Sequence, residues 1–322
     1  MILIDSNQYL ELYRVVAGRQ MLDPLREVSA RIFITSQIVD EVQRNKLDVA
    51  SRFLKCQLDS IGLKSVGIPT HLLDGSPEEL AQLQQKCITL RNDASNLRKE
   101  LQATIDRTLT KISRSEDDVS LALAGLFGTA LWPSCDELKR AFDRKQRGNP
   151  PGKKNDPLGD QITWEQFLDH SIGRPDLWII SNDSDYLISS ENSVFLNPFL
   201  QSELQFRCGD DRKVYCFNNL VAGIRHFVEK TGIGQGSMPT PEQLDELERQ
   251  FIANHFCSGL WLSTANESHP MTYSCGQWTC PLGSISITKN RVTFEGITYP
   301  IQSLNPFWVR FCHNGTEYEV TE

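Results

Sequence analysis

The chain has 322 residues, about twice the common domain size, which leaves room for one large domain or two with a sizeable core and excludes a disulfide-stapled miniprotein. Hydrophobic residues make up 39% and charged residues 23%, a mixture that excludes a disordered or fibrous chain. With 33 Lys plus Arg against 41 Asp plus Glu, the net charge of −8 excludes a uniformly basic surface, so any polyanion must find a local patch.

Met1-Ile-Leu-Ile-Asp5 is a short apolar run ending in a carboxylate, followed by Ser6, Asn7 and then Tyr9, Leu10, Leu12, Tyr13 and Val16 at helical spacing, which predicts a strand and then a helix. Arg31 to Thr35 is strand-like, Thr35 or Ser36 can cap a helix, and Ile38, Val39, Val42 and Leu47 supply its apolar stripe. From about Ser76 to Thr129 the composition turns to Leu, Gln, Lys, Glu and Ala, with Leu80, Leu83, Cys87, Leu90, Leu97, Leu101 and Ile105 mostly at three- and four-residue steps. This predicts one or two long helices inserted at about 74–130. Next comes a basic stretch holding Lys139, Arg140, Arg144, Lys145, Arg147, Lys153 and Lys154, with Asp143 the one acid inside it. A helix over Asp160 to His170 leads into a third strand, Leu177 to Ser181, which ends in Asn182-Asp-Ser-Asp185.

Short apolar strands alternating with helices predict an α/β fold, a parallel sheet covered on both faces. The Gly-, Ser- and Pro-containing segment from Gly232 to Pro241 reads as a linker. The expected division is therefore an α/β domain over 1–232 and a small antiparallel β-domain of about five strands over 240–322, the strands being 277–280, 284–288, 291–294, 297–299 and 308–311. No apolar run approaches the ~20 residues that cross a bilayer, and no basic region precedes an apolar stretch at the N-terminus, so neither a membrane span nor a signal peptide is expected. Nine scattered cysteines, an odd number, suit reduced thiols in the cytoplasm.

Asp5 and Asp183 each follow a strand, where open α/β sheets bind ligands in the crevice beyond the strands' carboxyl ends. Glu41 lies on the helix after the second strand and Asp160 near the start of a later helix, with Asp156 and Asp185 in reserve. Like charges gathered together raise one another's pKa, and a cation relieves that cost. Carboxylate ligands without local His or Cys suit Mg²⁺ or Mn²⁺, which polarise phosphoryl oxygens and acidify bound water. Each acid also has a plainer use: Asn182 to Asp185 as an Asx turn, Asp160 as an N-cap, Glu41 as a solvated helix residue. Of the aromatics that could stack on unpaired bases, Trp132, Phe142 and Trp164 are equally open to a core role. Cys257, Cys275, Cys280 and Cys312 with His255, His269 and His313 suggest structural zinc, although their spacing is poor for it.

The ordered pieces Leu3-Ile-Asp5-Ser-Asn7, Thr35 to Asn45 with Glu41, Pro150-Pro-Gly-Lys-Lys-Asn-Asp156, Gly159-Asp160-Gln-Ile-Thr-Trp164 and Ile179-Ile-Ser-Asn-Asp183-Ser-Asp185 resemble the PIN-domain ribonucleases, in particular the larger PIN-like proteins with a helical insertion. Over roughly residues 1 to 225 the resemblance implies a parallel α/β/α sandwich. It implies too that Asp5, Glu41, Asp160 and Asp183 form an acidic quartet holding Mg²⁺ or Mn²⁺ for endoribonucleolytic cleavage of RNA, single-stranded or structured. The basic residues from Lys139 to Lys154 would hold the RNA backbone. The implied setting is a bacterial toxin or antiphage effector with an antitoxin or defence partner protein, and the long helices give a slight preference for a homodimer. Two other readings compete: a catalytically silent PIN scaffold that binds RNA or protein, and a phosphatase of the haloacid-dehalogenase type suggested by Asp183-Ser-Asp185 after a strand.

Overall fold

The computed structural model describes residues 1–15, 18–59, 76–152, 158–190, 193–209, 212–255, 260–265, 267–274, 277–280, 282–288, 291–300, 303–304 and 307–321. The chain divides into two compact units, Met1–Lys46 with Asp118–Glu322, and Leu47–Asp117.

In the first unit a central parallel sheet is built from β1 (Ile2–Ile4), β2 (Ile32–Phe33), β3 (Asp176–Ile180) and β6 (Lys213–Phe217), in the order β2-β1-β3-β6. Register is set by Ile2 opposite both Ile32 and Trp178, and by Asp176 opposite Lys213. All three residues of β1 and the last four of β3 are buried, as expected of strands covered on both faces. The covering helices in this unit are α1 (Ser6–Glu11), α2 (Leu22–Glu27), the first turns of α3 (Ser36–Asp59), α5 (Asp118–Phe127), α6 (Cys135–Arg147), α7 (Gly159–Ser171), α8 (Pro198–Cys208) and α9 (Leu220–Thr231). A two-stranded antiparallel ribbon, β4 (Leu187–Ser190) and β5 (Ser193–Leu196), lies between β3 and α8 in the chain. The architecture is the expected α/β/α arrangement.

Local chemistry accounts for the boundaries. At α6, Ser134 Oγ accepts from the Glu137 N–H while the Glu137 carboxylate accepts from the Ser134 N–H, and Gly148 closes the helix in the left-handed conformation. The α9 helix approaches β3 through a glycine: a Cβ at Gly223 would overlap the Ile180 side chain. The second unit contains the rest of α3 and the 37-residue α4 (Pro77–Ser113), which starts with a capping box of Ser76 and Glu79; Arg98 of α4 pairs with Asp59 of α3 at 2.6 Å. Among the described residues no helix is long and apolar enough to cross a membrane.

After α10 (Pro241–His255) the chain forms two five-stranded antiparallel sheets rather than about five strands. One has the order β13-β12-β11-β10-β9, from β9 (Thr272–Ser274), β10 (Gln277–Cys280), β11 (Gly283–Thr288), β12 (Arg291–Phe294) and β13 (Ile297–Pro300). The other has the order β14-β15-β16-β7-β8, from β7 (Trp261–Ser263), β8 (Ser268–Pro270), β14 (Ser303–Leu304), β15 (Phe307–His313) and β16 (Thr316–Thr321). Residues two apart, Ile285 and Ile287, Val292 and Phe294, Val309 and Phe311, point into one shared core with Trp278. Of the suggested zinc ligands, Cys257 and Cys275 lie outside the described residues. His313 is buried and bonded instead to the Tyr299 hydroxyl at 3.0 Å and the Glu295 carboxylate at 3.1 Å.

Candidate active site

The site lies at the carboxyl end of the parallel sheet. Asp5 leaves β1 with its N–H on the Ile180 carbonyl of β3 at 3.0 Å, so the ends of the two central strands are locked side by side. Its side chain caps α1: Oδ1 accepts from the Ser6 N–H at 2.7 Å, and Oδ2 accepts from Asn7 Nδ2 at 2.8 Å and from Ser181 Oγ at 2.6 Å. Ser181, the residue after β3, also accepts from the Asp183 N–H at 3.0 Å, which couples the two aspartates through one hydroxyl. The expected Asx turn forms as well, since Asp183 Oδ1 accepts from the Asp185 N–H at 2.9 Å.

Electrostatics show how these acids are gathered. Burial pushes the Asp5 carboxyl up to about 6 from its ordinary 3.8; the Ser181 hydrogen bond opposes this, and the negative charges of Glu41 and Asp183 add to it. Tyr186 lies in the negative field of all four acids. Burial is the main cause that raises its phenol well above the usual value, and Asp160, Asp5, Asp183 and Glu41 all act in the same direction. The phenol therefore stays neutral and donates to the Asp160 carbonyl at 3.2 Å. Asp5, Ser181, Tyr186 and Thr163 line a water-sized cavity together with Leu3, Ile179 and Ile180. Thr163 of α7 meets Thr35, at the end of β2, through their hydroxyls at 3.1 Å, which ties α7 to the start of α3.

Asp160 is not the N-cap of α7. Leu158 occupies that position without a side-chain bond, and Asp160 lies within the first turn, where the positive end of the helix favours a carboxylate. Asp156 lies outside the described residues, as do Lys153 and Lys154. The oxygen-only donor set and a deeply seated carboxylate flanked by two more negative charges fit a small hard divalent cation. Among the described residues no three His, Cys, Asp or Glu side chains stand close enough together to hold an ion as they are.

The basic stretch does not turn outward as one strip. Arg144 is buried, pairing with Glu165 at 2.6 Å and Glu203 at 2.8 Å and donating to the Pro150 carbonyl at 2.6 Å, while Arg140 pairs with Glu165 at 2.9 Å and with Asp169. These arginines sit on the inward face of α6 with Glu137 and Ala141, and their charge is consumed in joining α6 to α7 and α8. Arg144 is thereby enclosed, whereas Arg140 keeps part of its side chain exposed. Lys139 and Arg147 remain exposed. The aromatics also separate: Trp164 is fully buried and donates to Glu203 at 3.0 Å, whereas Trp132 and Phe142 are exposed.

Sequence reasoning passed over Ser181 and Tyr186. Ser181 had a usable signal, a small hydroxyl directly after a strand and two residues before an acid; Tyr186 had none, because a tyrosine after a turn reads as ordinary core. A family model described as a PIN-like domain matches residues 1–186, a span that contains Asp5, Glu41, Asp160, Asp183 and, as its last residue, Tyr186. No curated protein matches the chain, and no solved structure does.

Proposed function

The chain belongs to the PIN-like domain family, and from that premise we propose that it is a divalent-metal-dependent endoribonuclease that hydrolyses RNA phosphodiester bonds at the carboxyl edge of its parallel sheet. The observation that carries this reading is the placing of Asp5 and Asp183 at the carboxyl ends of the two central strands, where both bond to the Ser181 hydroxyl. Asp5, Asp160 and Asp183 would hold Mg²⁺ or Mn²⁺ directly, with Glu41 as a further ligand or as the group that orients the attacking water. When bound, the metal supplies Lewis acidity toward the phosphoryl oxygen and lowers the pKa of water.

The protein's own groups do the remaining work. Ser6, Asn7 and Ser181 hold the Asp5 carboxylate in one orientation, so the rearrangement that loading requires would fall on the other acids. Tyr186 fixes the first turn of α7 through the Asp160 carbonyl and lines the small cavity beside Asp5. Glu41, on the neighbouring helix α3, would accept a proton from the attacking water where it does not itself ligate the ion. A role as a toxin or antiphage effector under the control of a partner protein belongs to the same proposal.

The test is incubation of the full chain with labelled single-stranded RNA, structured RNA and matched DNA in Mn²⁺, Mg²⁺ or chelator, beside Asp160→Asn. Metal-dependent cutting of RNA that the variant lacks is the expected result. RNA left intact under both metals, with binding preserved, would replace the nuclease by a silent RNA-binding PIN scaffold.

A further inference from the structure

Trp132 is 79% exposed, although indole is among the side chains that gain most from burial. The backbone beneath it is firmly held. Leu131 donates its N–H to the Ile34 carbonyl at 3.1 Å and accepts from the Ser36 N–H at 2.9 Å, forming a parallel rung beside Thr35 at the outer edge of β2. Gln166 of α7 donates to the same Leu131 carbonyl at 3.5 Å. Ser36 opens α3, which carries Glu41, and α7 carries Asp160, so the rung is bonded to both helices that bring acids to the site. Because the rung is parallel to β2, the chain leaves it in the direction in which β1 runs toward Asp5. Trp132 therefore emerges on the carboxyl-terminal edge of the sheet, the edge that holds the acidic crevice. Two residues later the capping box at Ser134 starts α6, which fixes the other side of the segment.

We propose that Trp132 is a stacking platform for an unpaired nucleobase of single-stranded RNA, and that it sets the strand's path past α6 into the acidic crevice. The naming of RNA rests on the nuclease reading above; the stacking role does not. An aromatic face open to solvent beside exposed cations is the pairing that single-strand binders use, with the ring taking a base and the cations taking phosphates. On α6, the helix that follows Trp132 in the chain, Lys139 and Arg147 are exposed with Asp143 between them, and Phe142 offers a second aromatic surface. A ring held on a rigid rung pays little ordering entropy on binding, and an unpaired base can reach it where a duplex, with its bases stacked inside, cannot.

The test measures binding rather than turnover. The full chain in chelator is titrated against a fluorescein-labelled unstructured RNA decamer, and separately against a duplex RNA of equal length, using wild type, Trp132→Ala and Trp132→Phe. Loss of one stacked base weakens single-strand binding by about ten-fold in Trp132→Ala, while Trp132→Phe recovers most of it and duplex affinity stays within about two-fold. Equal affinity of wild type and Trp132→Ala for the decamer overturns the proposal and leaves Trp132 as a contact for a protein partner; so does absence of wild-type binding, or equal losses on decamer and duplex. Trp132-dependent binding without cleavage in any metal keeps the platform and removes the nuclease. Cleavage with unchanged decamer affinity in Trp132→Ala does the reverse.

Discussion

Asp5→Asn, in protein freed of metal, changes the pH dependence of stability in a direction that the site's geometry dictates. Burial beside Glu41 and Asp183 raises the Asp5 carboxyl from 3.8 to about 6, so between those values the folded state binds more protons than the unfolded state. Stability then falls as pH rises through that window. At about 1.36 kcal/mol per pH unit, a gap of about two units is worth at most about 3 kcal/mol. Asparagine cannot ionise, so the penalty disappears, while the loss of one acceptor oxygen facing Ser6, Asn7 and Ser181 costs a roughly pH-independent 1–2 kcal/mol. The variant is therefore less stable than wild type near pH 4 and gains on it by about 3 kcal/mol near pH 7.5. Urea melts in chelator at both pH values, followed by fluorescence of the buried Trp164 and Trp178, measure the difference directly. Added Mn²⁺ at pH 7.5 should stabilise wild type, by about 2.7 kcal/mol at a hundred times Kd, and leave Asp5→Asn unmoved. Parallel stability profiles for the two proteins between pH 4 and 7.5 would refute the reasoning, because they would mean that Asp5 carries no raised pKa.

Two further substitutions probe the frame around the site. Arg144→Ala leaves Glu165 buried with part of its compensation removed and should cost about 3–5 kcal/mol in urea melts, whereas Lys139→Ala, at an exposed position, should change stability by less than about 0.5 kcal/mol. If Lys139 contacts phosphate, its loss also lowers the salt slope of single-strand binding by about 0.7. Gly223→Ala forces a methyl group into Ile180 at the end of β3 and should cost about 1–3 kcal/mol, read as a lower urea midpoint at unchanged slope.

The legible part of the fold was the part governed by simple periodicity. Ile2–Ile4 and Leu177–Ile180 are runs buried on both faces, the first followed directly by Asp5 and the second by Asp183 three residues on, and this pattern located both central strands and both their acids. Of the C-terminal strands, 277–280, 284–288, 291–294, 297–299 and 308–311 were legible as apolar or β-branched runs between turn residues; β7, β8, β9 and β14 have three residues or fewer and leave no period to read, and the six-residue β16, whose Tyr318 and Val320 alternate with glutamates, was not identified. The aromatics could not be sorted from sequence because Trp132 and Trp164 differ only in what covers them. Arg144 could not be sorted either: its inward turn depends on Glu165 and Glu203, which lie 21 and 59 residues away. Periodicity reports a residue's own face, but not the partner that waits there.

The fold handles two groups of acids in different ways, and the contrast bears on function. Glu165, Asp169 and Glu203 are drawn together between α6, α7 and α8, and the protein neutralises them with Arg140, Arg144 and Arg207. Asp5 feels the charges of Glu41 and Asp183 at the carboxyl ends of the strands, yet among the described residues no lysine or arginine forms an ion pair with any of the three. A carboxylate raised to about 6 is a standing cost to stability at neutral pH, and Arg144 shows that the fold can remove such a cost where the acids serve only packing. Leaving it in place at the carboxyl edge of the sheet, while three donors hold the Asp5 carboxylate in position, is the arrangement expected when the compensating charge comes from outside the chain. On the proposed reading, stability has been yielded where a cation and a phosphodiester would meet, and kept where helices meet.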